Sequence, residues 1–175
     1  MFKSKVLVVA AISVMTALSF VGCKKADTVD SVSGQGDFAE ITVSYNDFKG
    51  TYLSNLENFG VVEVSSMNDF YDLDKELKAT YNETKDALYN LFVEGQTGLS
   101  DVYTEKSIGY SGNAEALQKL DQDLEASIDL FESADHEYTE AVEDLYKPLT
   151  KKMASLKKRV KAAEDKALMN AAAGN

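Results

Sequence analysis

The apolar positions of this 175-residue chain fall into blocks with different periods. The first block, Val6 to Val21, carries no charge; Lys3 and Lys5 precede it, and Lys24 and Lys25 follow it. At about 16 residues it has the length of the apolar core of an export signal, short of the roughly 20 that span a bilayer. From Lys24 to about Glu40 the residues are small and polar with no helical period, the composition of a tether. Helical period begins with Ser44-Tyr45-Asn46-Asp47, which has the Ser-x-x-acid form of a helix cap. Tyr45, Phe48, Tyr52, Leu56 and Phe59 then recur at steps of three or four, and Gly60 ends the run. The β-branched Val61-Val62-Glu63-Val64 reads as extended linker. A second cap, Ser66 to Asp69, opens a stripe of Phe70, Leu73, Leu77, Tyr81, Thr84, Leu88 and Leu91. Gly95 is the expected stop, and residues 95–112 are expected to form a long loop, a length often associated with function or mobility.

The last block is the longest. After a cap at Asn113 the stripe runs Leu117, Leu120, Leu124, Ile128, Phe131, Asp135, Tyr138, Val142, Leu145, Leu149, Met153, Leu156, Val160, Ala163, Ala167. Its 14 steps cover 50 residues, or 3.57 per step, between the 3.5 of a left-handed coiled coil and the 3.6 of a straight helix. The phase does not slip at Pro148, so a kink is expected there rather than a turn. The half beyond Pro148 is expected to outrun the shorter helices. Either those helices fold back along it or another chain covers it.

Ser19-Phe20-Val21-Gly22-Cys23, directly behind the uncharged run, resembles the lipobox of bacterial lipoproteins, with Phe20 where Leu is commonest. The resemblance covers the first 23 residues. It implies cleavage before Cys23, a diacylglycerol on its thiol and a further acyl chain, such as palmitate, on its amine. One acyl chain binds a membrane marginally, whereas two or three anchor stably. The implied organisation is a signal peptide at 1–22, a lipidated cysteine and flexible tether at 23–43, and a helical domain at 44–175. Lys24 stands where some bacteria carry the acid that retains a lipoprotein in the inner membrane. The resemblance therefore leans to the outer membrane, on its periplasmic or surface face.

Composition narrows the picture. Cys23 is the sole cysteine, so residues after it have neither disulfide nor thiolate. One proline and no tryptophan favour helix over a turn-rich sandwich. Residues 24–146 hold 8 basic and 27 acidic side chains, net −19, whereas residues 147–166 hold 8 basic against 2 acidic, net +6. Nucleic acid is a poor partner for so acidic a body. The basic segment complements a helix C-terminus. It also offers contact to anionic lipid headgroups, cell-wall polymer or an acidic protein through Lys157, Lys158, Arg159 and Lys161. Head-to-tail self-association with the acidic body is a further expectation.

Little chemistry is legible. Asp72, Asp74, Glu76 and Glu83 occupy positions 1, 3, 5 and 12 of an EF-hand register, but Leu77 stands where that loop needs glycine, so a solvated helical face is expected. His136 is the only histidine; it has no second histidine or cysteine with which to build a metal site. Asp135 is the one charge in the long stripe and reads as a register or border residue. Of the nine tyrosines, those on stripes are core; Tyr71, Tyr89, Tyr103 and Tyr110 are candidates for exposure. Tyr103 and Tyr110, in the expected loop, are candidate partner contacts. No nucleotide-binding, nucleophile-elbow or metal motif is present, so no catalytic residue, metal or cofactor is assigned.

The sequence thus predicts an all-α protein: an antiparallel helical bundle with a long, coiled-coil-like C-terminal helix. The leading function is a non-enzymatic interaction protein of the envelope, holding an envelope or host molecule. A structural or chaperone-like periplasmic coiled-coil protein is the second reading, and a small-ligand receptor or enzyme ranks last.

Overall fold

A computed structural model describes residues 28–173. The export signal and Cys23 lie outside the described residues. Two long helices dominate: α2, Met67–Gly109, and α3, Ala114–Ala173. Ahead of them come strands β1, Ser31–Ser33, and β2, Thr42–Ser44, then a π-wound turn, Phe48–Leu53, that continues into the short helix α1, Ser54–Glu57.

The helices α2 and α3 are antiparallel along their length. Tyr103 meets Asp121 near the tip, Gly95 meets Phe131, Tyr81 stacks on Tyr146, and Met67 meets Glu164. Both ends of the pairing are capped. Ser66 Oγ accepts from the Asp69 amide at 3.2 Å, and Glu164 Oε1 accepts from the Met67 amide at 2.8 Å. The cap therefore comes from both local sequence and the facing helix, and a carboxylate suits the positive end of the dipole. At the tip, Gly112 takes φ +86°, and Asn113 Oδ1 accepts from the Ala116 amide at 3.1 Å.

The expected stop at Gly95 and loop over 95–112 are corrected: α2 continues to Gly109. Gly95 is a contact point, because a Cβ there would sit 2.6 Å from the Phe131 ring and 3.0 Å from Val43. Gly98 lets Ile41 approach in the same way. Lost helix propensity at these glycines, about 1 kcal/mol each, is offset by packing that a side chain would block.

The expected tether is also corrected for its described part. Strands β1 and β2 pair antiparallel, Val32 opposite Val43, and Phe38 between them is fully buried. Gly36, at φ +53°, turns the connecting loop so closely over α3 that a Cβ would collide with the Asp123 carboxylate. The hairpin and the following turn form a third layer over the two long helices. Tyr45 stacks on Tyr138 at 4.4 Å between ring centroids, and Phe48 meets Tyr138 edge-on at 5.4 Å. The helix expected over 44–60 is present over 46–57, π-wound at Phe48–Leu53 before α1, and it buries Phe48 and Leu56, with Tyr45 just ahead of it, as the spacing predicts. Tyr52, expected on that face, is exposed.

Helix α3 passes Pro148 without a break. Its distal half is not short of partners: Leu149, Met153, Leu156 and Val160 are buried, with Phe70, Leu73 and Leu77 of α2 in the same core. Residues 165–173 extend past the start of α2 and are exposed, Ala167 among them.

Candidate functional site

The basic segment of α3 is the most distinctive surface. Lys147, Lys151, Lys158 and Lys161 recur at steps of four, seven and three, which puts them in one row on the helix. The buried row Leu149, Met153, Leu156 and Val160 lies on the other side, so amphipathic spacing alone keeps these lysines exposed. Not all the predicted cations face solvent alone. Lys157 Nζ lies 5.8 Å from the Phe70 ring centroid and 5.9 Å from that of Tyr71. Arg159 Nη2 reaches Glu63 Oε1 at 2.7 Å, tying the extended linker to α3. Of the four cations assigned to partner contact, Lys158 and Lys161 therefore project outward, while Lys157 and Arg159 also serve the fold.

Tyr103 and Tyr110 are both half-buried and bonded within the chain. Tyr103 donates to Asp121 Oδ1 at 2.9 Å, and Tyr110 donates to Asp37 Oδ2 at 2.9 Å. These bonds to carboxylates hold both phenols above their usual pKa. Asp37 also faces Lys106 at 4.0 Å, and its amide donates to Asp123 Oδ2 at 3.4 Å. Asp123 is held below the usual carboxylate range, chiefly by its 2.9 Å bond from Lys119. The Gln35 amide completes the set by donating to Ser127 Oγ at 2.8 Å. The network fastens the hairpin loop to the tip of the long helices. Sequence reasoning missed it because Asp37 and Phe38 sit in a stretch that reads as tether; Val32 between Ser31 and Ser33, and Val43 between Thr42 and Ser44, were the available signal.

His136 is exposed, with Nε2 3.4 Å from Glu140. Asp72, Asp74, Glu76 and Glu83 lie on α2, and Asp74 pairs with Lys78. Among the described residues no cluster of His, Cys, Asp or Glu could hold a metal ion. In the interior, the Tyr45 hydroxyl has no partner. Burial, with the nearby charge of Asp135, pushes its pKa up to about 12. Asp135 is itself raised by burial. The Tyr81 hydroxyl donates to Glu143, which pushes its pKa up to about 12 as well. One open depression, beside α1, is lined by Asn55, Asn58, Phe59, Glu76, Thr80 and Glu83. A second lies along the start of α3, from Asn113 to Gln122. Both are mostly polar, unlike the apolar cavities that take small ligands. No described helix is long and apolar enough to cross a membrane.

No protein-family model, curated protein or solved structure matches the chain.

Proposed function

We propose that the protein is an envelope lipoprotein, anchored through acylated Cys23, that acts without catalysis by presenting a long helical surface to a partner. The observation that carries the reading is the order Lys3 and Lys5, sixteen uncharged residues, then Gly22-Cys23. It is the order that export and lipid transfer require. The described residues add support. They are mostly helical, two long helices packed against each other, with a basic end and an acidic body. Open polar depressions favour surface contact over a small-molecule site. The outer membrane is the proposed location, on the standing of Lys24 after the cysteine.

The test is palmitate labelling of the wild type and Cys23→Ala in a bacterial host, followed by fractionation. Label on the wild type alone, with Cys23→Ala released from the membrane, supports the reading. An unlabelled wild type overturns it. Protease shaving of intact cells then separates surface display, expected for a host-binding role, from the periplasmic structural role.

A further inference from the structure

We propose that the anchored protein lies along the bilayer instead of standing on it. The proposal rests on the lipid-anchor reading and adds to it the posture of the body and the surface it contacts.

The described chain begins at Thr28. Thr28 is fixed to the body: its carbonyl accepts from Lys49 Nζ at 3.1 Å. The next two residues are fixed as well. The Val29 carbonyl accepts from the buried Tyr138 hydroxyl, and the Asp30 carbonyl accepts from the Tyr45 amide at 2.8 Å. The chain therefore leaves the body beside Tyr138, partway along α3. At 1.5 Å per residue, Tyr138 is about 36 Å from the Ala114 end of α3 and about 52 Å from Ala173. From Cys23 to Thr28 is five residue steps, which span at most about 18 Å even when fully extended.

Those lengths are incompatible with an upright rod. With the tip down, the exit point would stand about 36 Å above the bilayer, twice the reach of the covalent link. With the other end down the mismatch is larger. The link limits the tilt of the rod to about 30° from the membrane plane. Charge then sets the direction of that tilt. The body to Tyr146 is strongly acidic and the segment 147–166 is net +6, so an anionic leaflet draws the basic end inward and repels the tip. Seven-residue spacing puts Lys152 and Lys166 on the side of α3 where Arg159 meets Glu63. Their charges add to the positive end that the anionic leaflet attracts.

The test uses the full acylated protein on vesicles containing phosphatidylglycerol. Acylation occupies the Cys23 thiol, so a single introduced cysteine takes the fluorophore, in Ser111→Cys at the tip or in Met169→Cys on the basic end. Energy transfer to acceptor lipids reports height. Both labels are expected within transfer range, the one at 169 closer. Inserting about 20 Gly/Ser residues after Lys25 adds about 25 Å of flexible reach and is expected to lower transfer at the tip about twofold. A tip or basic-end label out of range with the native link overturns the posture. So does a tip signal that the insertion leaves unchanged, since the link would then not be what holds the rod down. Failure of the protein to acquire lipid or to bind vesicles is a distinct result, and it sinks the anchor reading itself.

Discussion

Two glycines in helical segments carry opposite expectations. At Gly95 an added Cβ would meet the Phe131 ring at 2.6 Å, and such overpacking costs about 1–3 kcal/mol. Gly95→Ala is therefore expected to lower the melting temperature despite its better helix propensity. Gly50 is exposed, and a Cβ added there would meet nothing within 4 Å, so Gly50→Ala should stabilise by up to about 1 kcal/mol. Thermal melts of the two variants check both signs. The tyrosines set a second expectation. Tyr45 is pushed up to about 12 by burial, well above its unfolded value near 10. A raised phenol favours the neutral form in the fold. Its contribution is full below pH 10 and is lost as pH rises toward 12. Melting temperature should therefore fall over that window. Tyr45→Phe, which removes the unpartnered hydroxyl, should be neutral or stabilising at pH 7 and should shrink the alkaline loss. A melting temperature equally pH-sensitive in Tyr45→Phe would assign the loss to other groups.

At the scale of elements, the long stripes were legible and the short pieces were not. The unbroken apolar spacing of α3 outweighs Pro148, and the cap at Ser66 and the linker after Gly60 sit where the residues put them. The end of α2 was misread because a glycine that breaks an isolated helix and one that admits a neighbouring ring look alike without the partner, here Phe131 and Ile41. The hairpin was hidden for a related reason. Three-residue strands carry little period, and burial of Phe38 depends on α3, some eighty residues later. The same dependence makes Phe38 the anchor of that layer. Phe38→Ala should cost about 3–5 kcal/mol and loosen residues 28–44. Hydrogen exchange should show lost protection of the Gly34 and Tyr45 amides, which bond Ile41 and Asp30, while the centre of α2 stays protected. Unchanged exchange in the hairpin would show that Phe38 is not what anchors this layer.

At the scale of the molecule, the open question from the pattern is what covers the long stripe, and it decides between two roles. Two helices of this length are the usual parts of a coiled-coil oligomer. Here the stripe is covered from within: every turn from Leu120 to Val160 meets α2 or the N-terminal layer, and Leu149, Met153, Leu156 and Val160 beyond the proline are each under a tenth exposed. What α3 leaves uncovered past Glu164 includes Leu168 and Met169, 69% and 70% exposed, among alanines. That short run is well below the roughly 1,000 Å² a stable interface needs. The domain after Cys23, residues 26–175, is accordingly expected to sediment as a monomer at low and moderate salt. Salt is the informative variable, because head-to-tail pairing of the basic end with the acidic body would be screened beyond a Debye length of about 10 Å at 0.1 M. A monomer throughout leaves the outward lysines and the flanks of the rod for a different partner, in keeping with an interaction role. A dimer that dissolves with salt would assign the lysine row to self-association, and a salt-resistant dimer would move the exposed end of α3 into an apolar seam and put the structural role first.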